Sequence, residues 1–275
     1  MTPSAARPVP PSAGAGARAG RLVAWALAGT LLSGASCAAA HLGLERRSAE
    51  QALTRLVSEQ VDRELAARPD LSTLHGDHRG DDRLEPVTQA SLARDRVRLK
   101  DLARRLDDVP RAALPPERAA ERDSLAARIS AALRDLEVTR RWERDPSAYL
   151  DLVGRAVETL VERGAGSSCA RAHAMARRLQ RVPDVLRAAR VNLAAPPRDL
   201  IEASLPGYER LIGFYRGDLP GFGAQCHDPR TQADLAEADT TAVRAVTGFL
   251  DYLRADLLPR ASGISPVPAA PDTAR

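Results

Sequence analysis

Lysine is almost missing from this 275-residue chain: Lys100 stands alone against 39 arginines. Acids nearly cancel the bases, 36 against 40, for a net charge of +4. A nucleic-acid binder gathers its cations on one face. Here arginine alternates with acid, as in Arg94-Asp95-Arg96 and Glu121-Arg122-Asp123. That is the pattern of solvated helix faces with local ion pairs, so no nucleic-acid partner is expected. Aromatic residues are scarce at 3%, and runs of β-branched residues are missing, which leaves nothing to build a sandwich or barrel from. Long apolar stretches are missing too. The amino-terminal run over residues 22–32, LVAWALAGTLL, is 11 residues long, whereas a membrane-spanning helix needs about 20.

What the amino terminus does carry is an export pattern. A stretch rich in Ala, Pro, Gly and Ser, charged at Arg7, Arg18 and Arg21, precedes the apolar run, and the small residues SGASCAAA follow it. This order predicts a signal peptide over residues 1–40, cleaved after Ala38-Ala39-Ala40; a short uncleaved anchor is the alternative. Cys37 offers a second outcome, a lipid anchor as the first residue of a bacterial lipoprotein, although Gly34 stands where such signals usually carry leucine. The mature chain is expected to be exported, periplasmic or envelope-associated. Removing residues 1–40 from 275 leaves 235, enough for one helical domain with a sizeable core.

Beyond residue 41 the apolar residues recur every three or four positions, the spacing of one helix face. Helices are predicted over residues 48–67, with Ser48 as cap; from Thr88 or Ser91 to Pro110; and from Pro115-Pro116 to about Trp142. Asp145-Pro146, a cap followed by a first-turn proline, opens the next, which ends at Gly164. Further helices run from Ser167 or Ser168 through Leu179, from Pro183 through Ala189, over 199–215 with a bend at Pro206-Gly207, and over 231–258. Residues 70–89 and 217–229 read as loops, and 261–275 as a disordered tail. The fold class is therefore all-α, a single irregular multi-helix bundle over residues 41–260 after a cleaved signal segment. Trp142, Tyr149, Tyr208, Phe214 and Tyr215 read as packing residues.

The decapeptide HGDHRGDDRL at residues 75–84 resembles the glycine-histidine-acid segment near the start of a bacterial family known as domain of unknown function 885. Four more segments are similar to that family in the same order. Glu137, Trp142, Asp145-Pro146 and Tyr149 follow its E…W…NP..Y pattern, with Asp145 where Asn is common. Arg177-Arg178-Leu179 with Val182-Pro183 follows RL..IP, residues 192–197 follow NL..PP, and Phe249-Leu250 with Leu257-Leu258-Pro259 follow FL…LLP. The resemblance covers residues 48–262.

Full-length members resemble helical zinc metallopeptidases and carry HExxH much later in the chain. That motif works because two histidines at i and i+4 share a helix face and bind one zinc while the glutamate activates water. The five histidines here are His41, His75, His78, His173 and His227; none precedes glutamate and no two lie four apart. The resemblance implies the amino-terminal, metal-free half, with no catalytic residue, metal ligand or cofactor to carry over.

Two groups of residues remain as candidates. His75, Asp77, His78, Asp81 and Asp82 are the one metal-like cluster. The competing reading is structural, with the aspartates capping backbone N–H groups and an Asp–Arg83 pair pinning the loop. A third, implied by the resemblance, has this loop lining a substrate cleft that another part of the family fold completes. Cys169 and Cys226 suggest a disulfide in an exported protein, with two free thiols as the alternative.

The leading expectation is an exported all-helical protein of unknown function, inactive as a hydrolase by itself. One half of a split zinc-dependent hydrolase acting on peptides or esters is the second reading, and an envelope lipoprotein acting as a binding module the third. A protein partner or a second copy is expected to cover apolar helix faces that a half-domain would otherwise expose.

Overall fold

The fold is known from a computed structural model that describes residues 16–194 and 196–263, with side chains from residue 41 onward. All the regular structure among these residues is helical. The export segment assigned to residues 1–40, Cys37 included, lies outside the residues whose side chains are described, as does the tail from residue 264. Among the described residues no helix is long and apolar enough to cross a membrane.

Three helices build a first apolar core. They are α1 (Gly16–Ala67), α3 (Gln89–Asp107) and α4 (Pro116–Arg134), with the short α2 (Pro69–Leu74) between the first two. Leu53 and Leu56 of α1 meet Leu99, Leu102 and Leu106 of α3 and Leu125 and Ile129 of α4. Each such side chain contributes roughly 1.5–3 kcal/mol when fully buried. The chain then passes through a π-turn (Asp135–Thr139) and the single turn α5 (Arg141–Arg144).

A second, larger core follows. It is made by α6 (Ser147–Arg163), α7 (Ser168–Leu179), α8 (Val182–Asn192), α9 (Arg198–Gly217), α10 (Leu219–Ala224) and α11 (Pro229–Tyr252). Helix α11 packs on α7, α8, α9 and α10. Val246 and Phe249 of α11, Val153 and Val157 of α6, Leu179, Val185, Ile201, Tyr208 and Tyr215 are all fully buried there.

Local chemistry sets most of the boundaries. Thr88 caps α3 in a reciprocal box with Ser91. Ser167 caps α7, and Asp228 caps α11 ahead of Pro229. Asp145 accepts from the backbone N–H and hydroxyl of Ser147 at 2.9 and 2.6 Å, which starts α6. Side-chain oxygens at these places satisfy N–H groups that a helix start leaves without partners.

Four expectations are corrected. Helix α1 does not begin at Ser48: it runs through that residue from Gly16. The stretch 70–89 is not all loop, because Pro69 at a first-turn position starts α2 and buries Asp70, Ser72 and Thr73. The helix after Pro115-Pro116 does not reach Trp142 unbroken, since Arg140 takes a left-handed conformation at φ 51° between the π-turn and α5. Residues 217–229 do not loop out: α10 buries Leu219 and Gly223 against α7, α9 and α11.

Candidate functional site

Residues 75–84 turn the corner after α2. Gly76 sits at φ 81°, in the left-handed region that glycine enters without a steric penalty. Asp77 accepts from the Arg79 guanidinium at 2.7 Å and from its backbone N–H at 3.2 Å, and the Arg79 bonds hold its carboxyl down at about 2. Asp81 takes the Thr73 hydroxyl on Oδ1 at 2.7 Å, while its Oδ2 lies 3.0 Å from His78 Nδ1. His75 and Asp82 face solvent. The candidate metal ligands thus turn to separate partners. Among the described residues no group of three or more His, Cys, Asp or Glu side chains gathers as a metal ion would require. The expected Asp–Arg83 pin is corrected as well: the loop aspartates are met by Arg79 and, from below, by Arg178.

Arg178 of α7 is the anchor of this corner and is 0% exposed. Its Nη1 donates to Ala156 O at 3.2 Å and Thr159 Oγ1 at 2.9 Å. Its Nη2 donates to Pro69 O at 3.0 Å, Thr73 Oγ1 at 2.8 Å and Gly80 O at 3.4 Å. The Thr73 hydroxyl can then pass its own proton toward Asp81, so cation, hydroxyl and carboxylate form a relay. Burial presses the guanidinium pKa down while Asp81, Asp70 and Asp82 push it back up. Arginine remains charged in such a setting.

Asp70 is the second buried charge, at 0% exposure. Arg68 grips it with two bonds, at 3.1 and 2.8 Å, and Arg155 of α6 donates from the other side at 3.0 Å. Burial alone would raise its pKa, but the two arginines outweigh it and hold the carboxyl below its usual range.

Between the two cores runs a cleft of about 650 Å³. The flanks of the corner form part of its wall, Arg68, Pro69 and Asp70 before it and Glu85 to Thr88 after it. Opposite stand Arg98 of α3, Trp142 of α5, and Tyr149 and Arg155 of α6. Arg98 donates to Gln60 at 2.7 Å, and Arg141 pairs with Asp145 at 2.9 Å. The Tyr149 hydroxyl donates to Trp142 O at 2.5 Å and accepts from Asn192 at 2.9 Å. Burial, partly offset by the Asn192 bond, pushes that hydroxyl up to about 12, so it acts as a neutral donor near pH 7. Both charge signs and two aromatic residues line the cleft.

Cys169, at the start of α7, is bonded to Cys226, between α10 and α11. Cys226 is buried and His227 beside it is exposed. The residues that sequence reading passed over are Asp70, Arg155 and Arg178. Arg178 lay inside the matched RL segment, but nothing in its spacing marked it as buried.

A family model described as bacterial protein of unknown function (DUF885) matches residues 69–273. The fold is similar to the solved structure of a proposed lipoprotein of unknown function from Shewanella oneidensis, with a TM-score of 0.67 at 18% identity. That match covers 74% of this chain, which spans 37% of the length of the Shewanella protein. No curated protein matches the chain.

Proposed function

The chain belongs to the bacterial DUF885 family, residues 69–273 matching its model, and from that premise we propose that it serves in the cell envelope as a non-catalytic helical module. Its inter-core cleft holds a polypeptide segment of a partner. The carrying observation is the fate of the 75–84 corner. Asp77, Asp81 and His78 are engaged by Thr73, Arg79, Arg178 and one another while His75 and Asp82 face solvent, so the segment presents no gathered ligand set, and it is the residues flanking it that line the cleft. Chemistry of the metallopeptidase kind would then belong to residues outside this scaffold.

Support for the envelope address comes from the export pattern of residues 1–40 and from the lipoprotein description of the Shewanella neighbour. A genetically placed photo-crosslinker at Glu85, on the cleft wall, tests the binding role in the native host. Capture of one discrete envelope protein is expected there, and not from an exposed position outside the cleft lining such as Arg244. Equal capture from both positions overturns it.

A second reading has one observation in its favour. The chain spans 37% of the length of its structural neighbour, so it can be one part of a split zinc-dependent hydrolase acting on peptides or esters. Purified chain is expected to hold substoichiometric zinc and to leave peptide and ester probes intact unless a second, metal-bearing polypeptide is added. Stoichiometric zinc with turnover by the chain alone sinks both readings.

A further inference from the structure

A groove of about 470 Å³ lies between the segment leading into α3 and helix α8. Pro86 and Ala90 line it on one side, Ala188 and Val191 on the other. Val191 is 70% exposed, and among the described residues of α6 to α11 it is the one large apolar side chain left so open. Arg181 and Arg187 stand on the same wall and share a single carboxylate, Asp184, at 2.7 and 2.6 Å. Two guanidiniums against one carboxylate leave a positive charge in excess. The uncharged polar groups are committed: Gln89 donates to Asn192 at 3.0 Å, and Thr88 accepts from the Ser91 N–H at 3.1 Å. The groove is thus apolar at its α8 carboxyl end and cationic one to two turns earlier.

The sequence holds a segment of matching order. Ile264 to Pro271, ISPVPAAP, is apolar but for Ser265, and the first charge after it is Asp272. These residues lie outside the described ones. Proline at 266, 268 and 271 fixes φ, so such a segment loses little conformational entropy when a groove takes it in extended form. Its point of departure is set by the fold. Gly263 takes a left-handed conformation at φ 85°, and its carbonyl accepts the backbone N–H of Arg198, the first residue of α9, at 3.3 Å. That N–H has no partner within its own helix.

Covalent geometry then bounds the distance to the groove. Arg198 is six residues from Asn192, the last residue of α8, so the two are at most about 22 Å apart. Arg187 lies five residues back along α8, about 7.5 Å further. Nine residues from Ile264 to Asp272 span about 28 Å in extended, polyproline-like form. The apolar part therefore reaches Val191 and Ala188, and Asp272 reaches the guanidinium of Arg187. A tether this short keeps the segment at a local concentration on the order of millimolar, so modest contacts suffice to seat it.

We propose that this groove is the docking site of the chain's own residues 264–272, with Val267 and the neighbouring prolines and alanines against Ala188 and Val191, and Asp272 beside Arg187. The segment runs back along α8 toward its amino end, covers the exposed valine and supplies the second carboxylate that the arginine pair lacks.

The test uses the whole 275-residue chain in its oxidised form, with p-benzoylphenylalanine in place of Ala270. Irradiation at micromolar concentration, then proteolysis and mass spectrometry, should yield one main product within a single chain, joining position 270 to residues 86–90 or 184–191. Val191→Asp changes an exposed position and should cut that product at least fivefold. Asp272→Lys should cut it at least twofold at low salt, where exposed charges are least screened. Val97→Asp, a similarly exposed valine on α3, should leave it unchanged. The proposal is overturned if no product forms, if the main product maps elsewhere in the chain, or if it joins two chains, which would make the occupant a second copy. A yield that survives Val191→Asp or Asp272→Lys undiminished, or that falls as far with Val97→Asp, overturns it as well.

Discussion

At the residue scale, the corner after α2 depends on one buried guanidinium. Arg178, itself fully buried, donates to three backbone carbonyls and two hydroxyls. Arg178→Met keeps much of the volume and removes every donor, leaving those acceptors and the nearby Asp81 uncompensated. Breaking a buried charge network from one side costs about 3–5 kcal/mol. Arg178→Lys should recover only part of it, since an ammonium cannot reproduce the planar fork. Urea denaturation of the three proteins measures this; a loss below about 1 kcal/mol for Arg178→Met would show that the contacts carry little. The same residue shows what a sequence conceals. His75, Asp77, His78, Asp81 and Asp82 drew notice because polar residues crowd together there. The residue that organises them lies about a hundred positions away on α7, where an arginine among 39 carries no mark of burial. Which carboxylate meets which cation is decided by tertiary packing, and no periodicity encodes it.

At the scale of elements, far more was legible. The caps Thr88 and Ser167 and the proline starts at Pro116 and Pro183 act locally, within four residues, so their spacing alone locates helix ends. The failures were where local signals conflict with packing. Glycine and proline across 217–229 spell a loop, yet Leu219 and Cys226 bury that segment against three helices. The break between α6 and α7 is a case where both levels agree. Gly164 turns the chain with ordinary dihedrals, φ −61° and ψ 137°, but a Cβ there would stand 2.4 Å from the Leu160 carbonyl oxygen and 2.9 Å from Arg171 Cδ. The arginine can swing away; the backbone oxygen cannot without unwinding the last turn of α6. Gly164→Ala is therefore expected to cost roughly 1–3 kcal/mol by thermal or urea denaturation, whereas the exposed Gly213, with open space around its Cα, should gain a few tenths from the same change because alanine favours helix.

At the scale of the whole molecule, two cores of unequal size share one chain, and what joins them decides how they behave. Within the larger core, the Cys169–Cys226 bond closes a loop with a sequence separation of 57, worth about 4 kcal/mol in the chain-entropy estimate. Reduction should lower the unfolding midpoint by a corresponding amount, and two reactive thiols in non-reduced, denatured protein would show that the bond does not form in the cell. Between the cores the seam is polar rather than apolar. Gln89 reaches Asn192 at 3.0 Å, Asn192 reaches Val87 O at 2.6 Å, and Arg155 reaches across to Asp70, in the first turn of α2, at 3.0 Å. Asp70 is the charged member of this seam, and its carboxyl is held below the ordinary value of 3.8. A depressed pKa means that the folded state prefers the ionised form, so the contribution is fully present above about pH 4 and is lost as the pH falls below that value. Once Asp70 is protonated or replaced, Arg68 and Arg155 lose their common partner, and the join is left to the neutral hydrogen bonds and to the Arg178 contacts with the corner after α2. Native protein at pH 7 should then unfold in one transition, reported alike by Trp142 fluorescence near the seam and by far-ultraviolet circular dichroism. Asp70→Asn at pH 7 should show the two signals separating, the fluorescence change coming first as the cleft opens. Coincident transitions in Asp70→Asn would mean that the neutral contacts suffice and that the buried aspartate is dispensable to the coupling of the two cores.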